Sequence, residues 1–296
     1  MARAIDGMHL GRDRVICAYE VDGLVIDPGP TTCLDALLRG LGDLAPRGLL
    51  LTHIHLDHAG GSGVLARRFP ELLVYVHERG APHLADPSRL LESAARLYGD
   101  EMEYLWGEVA PVPEERLRPL SGDETIEGFR VAYTPGHASH HVCYLDERTG
   151  DAYVGDVAGV RIPPNDLTVA PTPPPDLDVE AWLESLERVA AWEPEALCLT
   201  HFGRFTDVGD QLERVRTALD LGAERARDGS QEVFASAVEN DVRAVVDPDG
   251  TDRYLQAAPP GQLWLGLDRY LRKRAESEAA PLAGDGDAAA REGTGT

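Results

Sequence analysis

The sequence predicts an α/β layered domain, and three observations predict it. Short β-rich apolar runs alternate with helical patterns through the first two-thirds of the chain. Nearly every one of those runs ends at a charged or imidazole side chain. From Asp207 onward the pattern turns helical throughout. With 296 residues, 43% of them apolar, the chain can fill one large core or two smaller ones.

Taken in order, Arg14 to Glu20 and Leu24 to Ile26 are expected as paired strands joined through the hairpin-type turn Asp22-Gly23. Thr32 to Leu41 is expected as a helix. Gly48 to Thr52 is a short apolar strand running straight into a histidine-rich segment. Gly60-Gly61 then opens a helical pattern that lasts to Phe69 and is ended by Pro70. Further strands are expected at Leu73 to His77, Phe129 to Thr134, His141 to Leu145, Ala152 to Val154 and Ala196 to Thr200.

Between these, Ser88 to Trp106 is a helical stretch rich in apolar and aromatic residues, including Tyr98 and Tyr104. It either packs on the core or covers a site as a lid. Ile162 to Pro175 is a loop, because successive prolines continue neither a helix nor a central strand. Trp264 to Arg272 carries an apolar stripe that would dock on the main body. The expected organisation is a core over residues 1–206 with a helical insertion at about 87–110, a helical region over 207–276 packed on it, and a disordered acidic tail over 277–296.

A formal net charge of -23 argues against nucleic acid, whose phosphates call for a basic face, and against an anionic membrane surface. The four cysteines, Cys17, Cys33, Cys143 and Cys198, are widely scattered and form no Cys-x-x-Cys pair. They read as small core residues in a reducing compartment. No apolar stretch of signal-peptide or membrane-span length is present, so a cytoplasmic location is the default expectation.

The segment Thr52-His53-Ile54-His55-Leu56-Asp57-His58 sets three imidazoles and a carboxylate in a tight run directly after an apolar strand. Imidazole nitrogen and carboxylate oxygen suit a borderline divalent ion such as zinc, and a tight loop can aim all four at one place. A lone histidine is more often structural, but four such groups at this spacing point to metal. Unactivated water is a poor nucleophile at neutral pH. A divalent ion held there can bring the pKa of its bound water towards 7 and polarise the group under attack.

This run resembles the signature of the metallo-β-lactamase fold superfamily, and further landmarks follow in the order that the family shows. They are Asp27 in Ile26-Asp27-Pro28-Gly29, His137 in Thr134-Pro135-Gly136-His137, Asp156 in Val154-Gly155-Asp156 and His201 in Thr200-His201-Phe202-Gly203. The resemblance spans about Val15 to Gly203. It implies a four-layered αββα sandwich with a helical C-terminal region and a centre of two divalent metal ions, Zn2+ foremost, with Mn2+ or Fe2+ as alternatives.

By the same resemblance, His53, His55 and His137 would hold one ion, Asp57, His58 and His201 the other, and Asp156 would bridge both. Asp27 would orient a ligand from behind by hydrogen bonding. Asp57 or Asp156 could accept or relay a proton, although ligation makes them weak bases. Of His140 and His141, one would take over the packing or hydrogen-bonding role that a second Thr-Pro-Gly-His histidine plays in thioester-cleaving relatives, with His141 as the candidate. His9, His77 and His83 have no partners by spacing and are expected to be structural or solvent-exposed.

The function expected is hydrolysis of an ester-like bond, a thioester or lactone, in a small-molecule acyl substrate, since the set resembles the glyoxalase II and lactonase branches. The alternatives are a mononuclear iron enzyme resembling the persulfide dioxygenases and, behind it, a phosphodiesterase. Arg161, Asn165, Arg204 and Phe205 fall just after ligand positions on expected loops and, with Tyr98 and Tyr104, are the candidate substrate contacts. A homo-oligomer is compatible with everything in the sequence.

Overall fold

The structure, a computed structural model, describes residues 2–279. Two six-stranded sheets stack face to face. The first holds β1 (Arg3–Asp6), β2 (Cys17–Val21), β3 (Leu24–Ile26), β4 (Gly48–Leu50), β5 (Leu73–His77) and β6 (Leu117–Leu120), in that spatial order. The second holds β7 (Thr125–Ile126), β8 (Phe129–Tyr133), β9 (Val142–Asp146), β10 (Asp151–Gly155), β11 (Ala196–Leu199) and β12 (Gly203–Phe205), in the order β12-β11-β10-β9-β8-β7. Strands β3 to β6 run parallel, as do β10 and β11, and every other neighbouring pair is antiparallel.

The period of two along each strand sorts side chains between layers. Leu50 points into the space between the sheets with Tyr19, Ile26, Tyr144 and Tyr153, whereas Leu49 and Leu51 face the helices outside the first sheet. Those helices, Leu34–Leu41 and Ser62–Arg68, bury Leu34, Leu37, Leu41 and Leu65 there. On the outer face of the second sheet, helix Val179–Ala190 buries Val179, Trp182, Leu186 and Val189 at helical spacing. Its N-terminus is fixed by the Asp178 carboxylate, which accepts from the Ala181 N–H. Each such fully buried side chain contributes roughly 1.5–3 kcal/mol. Helix, sheet, sheet and helix make the four layers that the sequence resemblance implies.

Helices Val208–Asp228, Gln231–Val245, Pro248–Ala257 and Pro260–Ala279 join that outer layer through Leu212, Val215, Phe234, Tyr254 and Leu263. The last one continues through 277–279, which the sequence assigns to a disordered tail; the remainder of that expected tail lies outside the described residues. A second correction concerns the first expected strand. Pairing begins only at Cys17, because Arg14 takes a left-handed φ of 58° and its N–H bonds to the Asp6 carboxylate instead of a sheet neighbour. The hairpin turn is as expected, with Asp22 at φ 50° and Gly23 at φ 82°.

Strands β3, β4, β8, β10 and β11 all end, by their C-termini, at one rim of the sandwich. Crevices at the carboxyl ends of strands are where α/β sheets place ligands.

Candidate metal centre

Each candidate ligand leaves a strand at that rim: Asp27 after β3, His53 to His58 after β4, His137 after β8, Asp156 directly after β10 and His201 after β11. Their donor atoms fall into two groups. His53, His55, His137 and Asp156 form one, and Asp57, His58 and His201 form the other, with the atoms of each group within 4.8 Å of one another. Asp156 lies on the boundary, its Oδ2 3.2 Å from His137 Nε2 and its Oδ1 3.3 Å from His58 Nε2 and 3.5 Å from His201 Nε2. Asp57 Oδ2 is 3.3 Å from His201 Nε2.

The far side of each ring shows why these atoms fit a cation. His137 Nδ1 donates to Pro171 O at 2.8 Å, His201 Nδ1 to Val15 O at 2.6 Å and His58 Nδ1 to Asp27 Oδ2 at 2.8 Å. A carbonyl or carboxylate only accepts, so the proton sits on Nδ1 and Nε2 turns a lone pair inward. His53 is fixed likewise, since Thr52 Oγ1 already donates to Asp27 and receives the His53 Nδ1 proton at 3.1 Å.

Three imidazole nitrogens then converge, with His55 Nδ1 2.9 Å from both His53 Nε2 and His137 Nε2 and at most one proton among them. His58 Nε2, His201 Nε2 and Asp156 Oδ1 are buried without any hydrogen-bond partner. A tetrahedral ion with bonds of about 2.0–2.1 Å spaces its ligand atoms about 3.3 Å apart. The donor set and its convergence therefore fit divalent metal.

Charge leads to the same conclusion. Two buried carboxylates, Asp27 and Asp156, stand in one site with the partly exposed Asp57 beside them, which is costly without positive charge nearby. Burial, reinforced by neighbouring imidazoles, holds His53 and His141 well below the ordinary imidazole range and brings His55 and His140 down to about 3. His58 and His201 shift upward: burial opposes their protonation, but Asp156 and Asp57 outweigh it. Burial also opposes ionisation of Asp156, and His58, His137 and His201 overcome it to hold the carboxyl far below its usual range.

Behind the donors, Asp27 is fully buried and accepts four bonds: Thr52 N–H on Oδ1, and the Thr52 hydroxyl, the Thr200 hydroxyl and His58 Nδ1 on Oδ2. It thus ties the ends of β3, β4 and β11 together. His141 stands beside His53, with ring centroids 5.0 Å apart, and bonds Thr134 Oγ1 through Nδ1 at 2.9 Å. Gly155 holds the β10 end in a left-handed φ of 47°, where a Cβ would lie 2.5 Å from Thr52 Oγ1. Gly136, at φ 136°, passes so near Trp182 that a Cβ would be 2.3 Å from its Cα.

A cavity of about 530 Å³ stands over the centre and reaches His55, Asp57, His137 and Asp156. Helices Ser88–Tyr98 and Met102–Trp106 form one wall, where Ala94, Tyr98, Leu105 and Trp106 pack with Leu56. These helices thus line one side of the cavity and pack against Leu56 beside the centre. Tyr98 lines the cavity and its hydroxyl reaches Gln262 at 3.2 Å.

The other candidate substrate contacts stand elsewhere. Arg161 is buried and committed to Asp166, Asp207 and Gln211, with its guanidinium 4.3 Å over the Phe205 ring. Arg204 is held by Asp151, and Asn165 follows the turn at Ile162. Tyr104 is 65% exposed outside the cavity. Following a ligand by a few residues does not bring a side chain to the ligand's side of the chain, because these turns reverse direction at the strand end.

Sequence spacing also missed His9 and His83, which line the cavity. His9 stacks on Trp106 at 5.5 Å, donates from Nε2 to Leu105 O and faces Gln256 through Nδ1. Its partners lie 96 and 247 residues away, beyond any local signal.

A family model described as the metallo-beta-lactamase superfamily matches residues 16–201, which include every group of the centre. The chain is 31% identical over 169 residues to the metallo-beta-lactamase fold-containing protein ST1585 of Sulfurisphaera tokodaii, covering 52% of this chain and 60% of that one. It is 29% identical over 135 residues to a hydroxyacylglutathione hydrolase of Thermosynechococcus vestitus, covering 45% and 42%. The chain thus spans less than two-thirds of the length of either relative. Among solved structures, the metallo-beta-lactamase family protein TTHA1429 of Thermus thermophilus matches with a TM-score of 0.60 at 23% identity, over 89% of both chains. That likeness is one of fold.

Proposed function

The chain belongs to the metallo-beta-lactamase superfamily, and from that premise we propose that it is a dinuclear metal-dependent hydrolase of ester-like bonds, thioesters or lactones, in small acyl compounds. The observation that carries this reading is the pair of donor groups joined through the two oxygens of Asp156. His53, His55 and His137 would hold one ion and Asp57, His58 and His201 the other, with zinc as the proposed metal and manganese or iron as alternatives. Bound there, two divalent ions would acidify water and polarise the carbonyl under attack.

The protein supplies the rest. Pro171 O, Val15 O and Asp27 fix the three rings whose Nε2 atoms face inward. Asp57 has a side chain 24% exposed and reaches the cavity, so it is placed to take the proton that the attacking water loses. Leu56, Ala94 and Trp106 keep that face of the cavity apolar. The name of the Thermosynechococcus relative, which denotes release of an acyl group from glutathione, supports an acyl substrate.

The test is a panel of thioesters, lactones and phosphodiesters offered to the zinc, manganese and iron forms, together with metal analysis. Two metals per chain and thioester or lactone turnover are expected, falling by more than roughly a hundredfold in His55→Ala. One iron per chain with oxygen uptake on a persulfide would replace the hydrolase by a dioxygenase. Best turnover on a phosphodiester, or full activity in His55→Ala, would also defeat the reading.

A further inference from the structure

The cavity over the centre has one basic wall. Arg79 and His83 reach it from the segment between β5 and helix Ser88–Tyr98, Arg89 from the first turn of that helix, and His140 from the loop that carries His137. Arg79 gives an N–H to Tyr133 Oη at 2.9 Å and lies 5.5 Å over that ring, yet among the described residues neither it nor Arg89 is ion-paired. Nearby, Arg67 is paired with Glu108 and Arg96 with Glu92, whereas Arg68 and Arg118 share with Arg79 and Arg89 the lack of an ion pair among the described residues. His140 is only 8% exposed and its Nδ1 has no hydrogen-bond partner.

One acid, Asp176, stands on the same side, near His140 and Tyr133, and the other acids that line the cavity lie elsewhere. Asp57 and Asp156 belong to the centre, Asp176 accepts from the Ser139 hydroxyl at 2.5 Å, and Glu101 follows the opposite end of the helix that Arg89 opens. The C-terminal helices offer the cavity no cation: they contribute Gln256, Gln262 and apolar residues, while Arg214 and Arg225 border a different cavity. Away from the donor groups of the centre, the cationic side chains that can meet a negatively charged group entering this site are therefore Arg79 and Arg89.

We propose that this wall is a specificity site for a carboxylate that the substrate carries away from the bond to be broken. Only the word substrate rests on the hydrolase reading, since anion recognition by the wall needs no turnover. In a chain of net charge -23, an anion is repelled at long range, so its capture requires fixed cations at the point of contact. Arginine forks match a carboxylate in geometry as well as charge. The volume of about 530 Å³ suits a small molecule that spans from the centre to this wall.

The experiment uses S-(3-carboxypropyl)-N-acetylcysteamine and its terminal amide, thioethers that cannot be hydrolysed, titrated calorimetrically into the metal-loaded protein. The carboxylate is expected to bind about tenfold more tightly than the amide, with the preference shrinking as salt is raised. Arg79→Ala and Arg89→Ala should each bring the two ligands towards equal affinity while amide binding stays as it was. Equal binding by the wild type, or a preference that survives both substitutions because the carboxylate sits on the metals, would overturn the proposal. Thioester turnover is scored separately. A carboxylate preference without any hydrolysis would sink the hydrolase reading and leave the anion site standing.

Discussion

Asp27→Asn exchanges one carboxylate oxygen for an amide nitrogen at the point where three strand ends meet. The aspartate accepts four hydrogen bonds, one on Oδ1 and three on Oδ2. An asparagine keeps most of them by leaving its oxygen at the Oδ2 position, and its NH2 then confronts the Thr52 N–H. The Thr52 N–H and the new NH2 are both stranded as buried donors, each group at a cost of about 1–3 kcal/mol, which lowers the midpoint of thermal unfolding by several degrees without abolishing the fold.

The larger effect falls on the metal. His58 loses the anionic partner that fixes its Nδ1 proton, and loss of such a partner weakens a metal site about 10- to 100-fold, or roughly 1.4–2.7 kcal/mol. The assay is dialysis of wild type and variant against buffered zinc, with bound metal counted and unfolding followed on the same samples. The ion held by Asp57, His58 and His201 should leave first. If the variant kept both ions with wild-type affinity, Asp27 would be a strand-end tie and no more, and its proposed role in orienting His58 would be wrong.

Gly155→Ala forces a Cβ into the left-handed region and to 2.5 Å from Thr52 Oγ1 and 2.8 Å from His141 Nε2, so stability should drop by about 2–4 kcal/mol with loss of bound metal. A normal melt with full metal content would contradict that geometry. Prolonged chelation should lower the unfolding midpoint, and readdition of zinc should restore it, the shift corresponding to about 2.7 kcal/mol at a hundredfold excess over the dissociation constant; a melt indifferent to metal would count against the centre. Arg161→Met should cost about 1–2 kcal/mol, because Arg161 is buried while Asp166 and Asp207 remain solvated, and should leave KM within about twofold. A tenfold rise in KM at unchanged kcat would return Arg161 to the substrate.

Much of this was legible in the sequence because the chemistry is local. The run from His53 to His58 follows an apolar strand, and Asp27, His137, Asp156 and His201 each sit at another strand end, so pattern and residue type coincide. The strands that went unread, β1, β6, β7 and β12, are the four edges of the two sheets. An edge strand is buried and paired on one side only, so its sequence need not alternate, and β6 even contains Pro119. The cavity wall was hidden for a different reason. His9, Leu105 and Gln256 meet only once the chain is folded, and Arg161 turns from substrate candidate to core ion pair because Asp207 lies 46 residues away.

The position of Asp27 and Asp156 has a consequence for how the molecule comes apart. His53 to His58 leave the first sheet, whereas His137, Asp156 and His201 leave the second, and between them the two sheets meet largely through apolar side chains. The centre is thus the polar rivet between halves of the chain that no covalent cross-link joins, all four cysteines being free. Neither half carries a complete donor set, so metal capture reports that the halves have closed on each other. Release of the ions would loosen this seam, leaving the apolar side chains between the sheets to hold them together.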